Sequence, residues 1–85
     1  MIELKQKQIV YYARIIPSSG IYDVYELKVR TVETDWFCGI EKRDKQAFLF
    51  NNNAIGSTIF LDRSEALKRV QEAEKNKKED ILWSI

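Results

Sequence analysis

From Gln8 to Val32 the chain is rich in residues that suit a pleated strand, and a turn signal interrupts it once, at Pro17-Ser18-Ser19-Gly20. Ile9, Val10, Tyr11, Tyr12, Ile15 and Ile16 are β-branched or aromatic and fit a half-buried sheet surface. Proline presets φ, and glycine accepts the positive φ that a tight turn demands. A hairpin follows, with strands Gln8 to Ile16 and Ile21 to Val32. In the second strand Tyr25, Leu27, Val29 and Thr31 fall on one face, and Glu26, Lys28 and Arg30 on the other, so that face is expected to be wet. The first strand shows no such contrast. Both of its phases are apolar, which leaves its register open.

The rest of the chain continues in short pieces. Glu33-Thr34-Asp35 reads as a turn. Trp36 to Glu41 reads as a third strand, with Trp36, Cys38 and Ile40 in phase and Gly39 marking a bulge or a close backbone approach. Lys42-Arg43-Asp44-Lys45 is a charged hairpin tip, and Ala47 to Phe50 a short fourth strand. Asn51-Asn52-Asn53 reads as a turn through the left-handed tolerance of asparagine, and Ser57 to Leu61 as a fifth strand. Asp62-Arg63-Ser64-Glu65 has the form of a capping box. Beyond it Ala66, Leu67, Val70 and Ala73 recur at helical spacing. The helix is expected from Arg63 to about Lys78, followed by the apolar tail Ile81-Leu82-Trp83-Ser84-Ile85. An 85-residue chain has room for one core. The expected fold is therefore α+β: a strongly bent five-stranded antiparallel sheet, close to an SH3-like small barrel, with one C-terminal amphipathic helix.

Composition narrows the chemistry. There is no His and one Cys, Cys38. The commonest general base and the commonest metal ligand are thus missing, and a zinc site drawn from Cys and His cannot be assembled. Gly20, Gly39 and Gly56 are too far apart to form a phosphate loop. The chain reads as a non-enzyme without a cofactor or metal. No apolar run reaches bilayer-spanning length, and Met1 to Gln8 has no apolar signal core. With a lone Cys38, most simply a small buried hydrophobe, this points to a reducing, cytoplasmic compartment and away from membranes.

The segment Gly56-Ser57-Thr58-Ile59-Phe60-Leu61-Asp62-Arg63-Ser64-Glu65-Ala66-Leu67 resembles the closing strand and helix of many small phage and prophage proteins of Firmicutes. In those, a Gly-x-Thr-Val-Phe-Leu strand runs into Thr-Arg-Glu-Glu-Ala at a helix start. Asp62 stands here where that pattern has Thr, and Ser64 where it has Glu; both changes preserve capping. The resemblance implies a mobile-element setting, in which small single-domain proteins often inhibit host machinery, CRISPR effectors and other defence systems included. It carries no chemistry, because the matching residues are turn, cap and core positions.

The expected function is that of a non-enzymatic, phage- or mobile-element-encoded binding protein, a stoichiometric inhibitor of a host protein such as a defence nuclease or effector complex. The expected contact residues are Tyr12, Arg14, Tyr22, Lys28, Arg30, Lys42, Arg43 and Trp83. Arg14, Lys28 and Arg30, with Tyr12 or Tyr22, would form a basic, aromatic patch if the hairpin put them on one face. Lys42 and Arg43 crown the charged tip, whose plainer reading is a solvated loop. Trp83 belongs to a tail that packs on its own domain or seals a homodimer. Two other binding readings stand beside this one. A module sequestering a nucleotide second messenger needs basic and aromatic residues to converge. A small nucleic-acid-binding barrel fits less well, because the formal net charge is only +1.

Overall fold

The computed structural model describes residues 4–83, with side chains described through residue 76. Five strands, β1 (Ile9–Ile16), β2 (Ile21–Val32), β3 (Trp36–Glu41), β4 (Ala47–Asn51) and β5 (Ile59–Phe60), precede one helix, α1 (Arg63–Trp83). The sheet order is β4-β3-β2-β1-β5, and the paired strands run antiparallel. The hairpin turns at Pro17–Ser19, where Gly20 takes φ 66° and donates its N–H to the Pro17 carbonyl. Tyr12 then faces Tyr25, and Val10 faces Leu27, in an unbroken register.

The sheet curls into a half-barrel. β1 and β4 are separated by two strands, so a flat sheet would hold them about 14 Å apart. Yet the Tyr12 and Phe50 ring centroids lie 4.9 Å apart. Two features of β2 and β3 permit the bend. A bulge shifts the β2–β3 register between Val29 and Thr31, and bulges sharpen local twist. Opposite it, a Cβ on Gly39 would sit 3.1 Å from both Cβ and Cδ1 of Leu27, which is fully buried. Gly39 thus marks both the bulge and the close approach that its position in a strand foretells. The bulge also moves Thr31 off the Leu27 side, since Thr31 pairs with Cys38 while Val32 pairs with Phe37 and joins the core instead.

The curl gives the sheet two different faces. The concave face holds Val10, Leu27, Val29, Phe37 and Ile59, with Leu4 closing one end and Tyr12, Tyr25, Val32, Phe48 and Phe50 packed around them. The convex face carries a second cluster, in which Ala13 of β1 meets Ala66 and Val70 of α1, flanked by Tyr11, Ile15, Tyr22, Val24 and Phe60. Alanine on both sides lets helix and sheet approach closely. The buried stripe of α1 is narrow: Leu67, expected on it, is 40% exposed. Among the described residues the helix rests on β1, β2 and β5, and on the β3–β4 half of the convex face Trp36 is 41% and Leu49 71% exposed.

Three local expectations change. β5 is shorter than Ser57 to Leu61, because Ser57 and Thr58 donate their N–H groups to the Ala54 carbonyl and are held in a turn. The Asn51-Asn52-Asn53 turn uses no left-handed residue: the Asn51 side chain accepts from the Asn53 N–H and starts a short 3-10 turn over Asn52–Ala54. The backbone of α1 runs through Trp83, but the Trp83 side chain, Ser84 and Ile85, and with them the expected tail contact and tail-sealed homodimer, lie outside the described residues.

The close approach at Gly39 makes a direct prediction. Gly39→Ala sets a methyl 3.1 Å from Cβ and Cδ1 of the buried Leu27 and is expected to lower unfolding free energy by about 1–3 kcal/mol. In urea titrations the double variant Leu27→Ala/Gly39→Ala should lose less than the sum of the single losses, because the two changes relieve each other.

Candidate functional site

The pleat sorts the expected contact residues onto opposite faces. Arg14 pairs with Asp23 in the hairpin and lies on the side of Tyr25, whereas Lys28 pairs with Ile9 on the other side. Arg14, Lys28 and Arg30 therefore do not share one basic, aromatic patch. Arg14 instead stacks its guanidinium over Tyr25 and Phe48, 5.5 and 5.8 Å from their centroids, and donates from Nη1 to the Tyr25 hydroxyl at 3.3 Å. It belongs to the aromatic lining of the concave face, together with Tyr12, whose ring meets Tyr25, Phe48 and Phe50 edge-on. Such cation–π contacts tie the arginine to the core. Tyr22 is packed beneath α1 in the convex cluster.

Lys28 and Arg30 do come together with other cations. They line a groove of about 550 Å³ whose apolar floor is Ile9 and Ile40, and whose rim adds Lys7, Lys42 and Lys45; the Val29 side chain beneath is turned into the concave core. A neighbouring hollow of about 340 Å³ shares Glu26, Glu41 and Lys42 with it and adds Arg43 and Arg63. Together they form a cationic strip along the margin of the sheet, running from the N-terminal segment past the β3–β4 turn to the start of α1.

Two carboxylates lie in the strip, and both are engaged. Glu26 accepts a salt bridge from Lys42 at 3.6 Å. Glu41, 4% exposed at the end of β3, accepts from the Asp44 N–H and pairs with Arg43 Nε at 3.6 Å. It thereby closes the β3–β4 turn, in which Lys45 N–H reaches the Glu41 carbonyl. The Asp44 backbone N–H does most to hold the Glu41 carboxyl below its ordinary 4.5; burial opposes it, and the Arg43 backbone N–H and charge add to it. Among the described residues, Lys7, Lys28, Arg30 and Lys45 take part in no ion pair.

The backbone singles out the rim as well. The non-glycine residues with positive φ among those described are Lys7 (71°) and Lys45 (58°), and both line this groove. Lys7 is held there because its N–H donates to the Val29 carbonyl at 2.7 Å, beside the bulge, while Val29 N–H donates to Gln8. Left-handed backbone favours glycine or asparagine and costs another residue on the order of 1 kcal/mol. At both positions the chain places a long cation instead. Lys45 belongs to the charged tip that the sequence singles out. Lys7 and Arg63 carry no sequence signal beyond their charge, because only the bulge and the helix start bring them to the strip.

Comparison with protein-family models, with curated proteins and with solved structures gives no match. Residues 56–67 supply β5, the start of α1 and the buried Ile59 and Ala66; Arg63 is their contribution to the strip. Among the described residues no group of His, Cys, Asp and Glu is placed to hold a metal, and no helix is long and apolar enough to cross a membrane.

The Glu41 contacts set a pH dependence. A carboxylate whose folded pKa is lowered stabilises the fold fully above its unfolded value, and that contribution is lost as pH falls through the lowered folded value. Urea midpoints of the wild type should therefore drop between about pH 5 and about pH 3 more steeply than those of Glu41→Gln. Equal acid slopes for the two proteins would show that Glu41 does not fasten the turn.

Proposed function

We propose that this chain is a non-enzymatic binding protein that acts by occlusion, seating an acidic surface segment of a partner protein in the cationic strip. The observation that carries this reading is the grouping of Lys7, Lys28, Arg30, Lys42 and Lys45 around an apolar floor of Ile9 and Ile40. A net charge of +1 gives no overall attraction, but local clustering steers an anionic partner and fixes its orientation. The apolar floor favours a protein over a nucleic-acid backbone, since phosphates and sugars offer it nothing to bury. The exposed rings that single-stranded nucleic acid needs for stacking are largely on the concave side, in the core. The same separation of rings from cations weighs against a nucleotide pocket. The phage setting and a host defence effector as partner rest on the resemblance of residues 56–67 to small phage proteins.

The test uses the purified chain as bait against lysate of a phage-defended host, with the captured protein then titrated directly. Lys28→Glu/Arg30→Glu should fold normally and bind about tenfold or more weakly. In the same titration Lys45→Asn should bind more weakly while unfolding at a higher urea concentration, by up to about 1 kcal/mol, because asparagine accepts the left-handed backbone. Wild-type affinity in the double charge reversal would overturn the reading. So would tight oligonucleotide binding that falls steeply with salt, in favour of the nucleic-acid reading. Expression of the chain should restore plaques on the defended host, and failure there would separate the defence role from the binding role.

A further inference from the structure

The outer edge of β4 is an open pairing site. Asn52 N–H donates to the Asp35 carbonyl at 2.9 Å, and Glu41 N–H to the Gln46 carbonyl at 2.8 Å. Combined with the register Phe37↔Phe50 and Gly39↔Phe48, these bonds place the even-numbered residues of β4 in the hydrogen-bonded pairs with β3. The backbone N–H and C=O groups of Ala47, Leu49 and Asn51 consequently point away from β3. Among the described residues no strand pairs with that side, since β4 ends the sheet.

Sheet edges are ordinarily guarded by lysine, proline, a bulge or an inward charge. β4 reads Ala-Phe-Leu-Phe-Asn and has no charge and no proline. Its pairing with β3 is regular along its whole length, and its central side chain, Leu49, is 71% exposed. The strand is also complementary to itself. Turned about a two-fold axis at Leu49, it sets Ala47 opposite Asn51, Phe48 opposite Phe50, and Leu49 opposite Leu49. The outward backbone groups fall in register as hydrogen-bonded pairs. The phenylalanines fall in the closer, non-hydrogen-bonded pairs, where aromatic side chains gain most. The nearest charge, Lys45, lands beyond the strand end opposite Asn53, so no like charges meet across the seam.

We propose that the outer edge of β4 pairs antiparallel with the same edge of a second copy, joining two half-barrels into one continuous ten-stranded sheet. The concave aromatic layer, Phe48 and Phe50 included, then runs across the seam, and the two Leu49 side chains cover each other on the convex face. Lys28 and Arg30 lie on β2, away from the seam, so the dimer presents two cationic strips, and the proposal stands independently of what those strips bind. A seam between two five-residue edges is small, which places the dimer among transient, concentration-dependent assemblies.

Sedimentation velocity over a concentration series up to about 1 mM tests this, with two variants. Leu49→Pro removes an N–H that points outward and that the β3 ladder does not use, which an edge strand tolerates. Leu49→Lys sets two cations against each other at the axis and, at so exposed a position, leaves the fold intact. The wild type should shift from monomer to dimer as concentration rises, and both variants should stay monomeric with the wild-type circular dichroism spectrum. If Leu49→Pro fails to fold, Leu49→Lys alone decides. A wild type that remains monomeric throughout overturns the proposal, even where Leu49→Lys weakens binding of a captured partner, because the edge then serves a different chain. Dimerisation of Leu49→Lys equal to the wild type also overturns it.

Discussion

The contact between Tyr12 and Phe50 is the constraint on which the remainder of the molecule depends. Two rings from strands that are not neighbours meet at 4.9 Å because the sheet bends through the Val29–Thr31 bulge and because Gly39 lets Leu27 lie against β3. Without the bend a sheet this small has two flat faces and too little side chain to cover them both. With it, one face becomes its own core, and a single helix need cover only part of the other.

That economy shapes the surface. Val10, Leu27, Val29, Phe37 and Ile59 fill the concavity, and Arg14 is drawn in with the rings. The helix spends its narrow Ala66–Val70 stripe on β1, β2 and β5. Among the described residues, the rest of the convex side carries the cationic strip at the margin, and β4 with the exposed Leu49 beside Trp36. Charge is sorted accordingly. The two carboxylates near the strip are tied to Lys42 and to the β3–β4 turn, so a nearly neutral chain still presents a positive region. The two lysines held in left-handed backbone on its rim spend stability on charge at that place.

Much of the fold is legible in the sequence. The hairpin turn at Pro17 to Gly20 and the bend at Gly39 each follow from one residue type doing what few others can, and the start of α1 at Arg63 lies where the sequence puts it. The first strand's ambiguous phase has its own explanation: both phases are apolar because both faces of β1 are covered, Val10 and Tyr12 by the concave core, Tyr11, Ala13 and Ile15 by the helix. The site is less legible. Lys28 and Arg30, expected beside Arg14, line the strip instead with Lys42 and Arg43 of the charged tip, while Arg14 and Tyr12 belong to the core and Tyr22 lies under α1. Residue types alone do not say which face a strand turns toward the core when both its faces are buried. Nor does a linear sequence reveal that a bulge brings Lys7 beside Lys28 and Arg30, or that a turn brings Lys42 and Lys45 to the same rim.

The curl itself can be measured in solution. In a nuclear Overhauser spectrum, the ring protons of Tyr12 should show direct cross-peaks to those of Phe50, alongside the Phe37–Phe50 contact at 5.4 Å between centroids. A spectrum in which Phe50 touches Phe37 and its β3 neighbours but not Tyr12 would mean an open sheet. The division of the molecule into an inward aromatic core and an outward face would then fail.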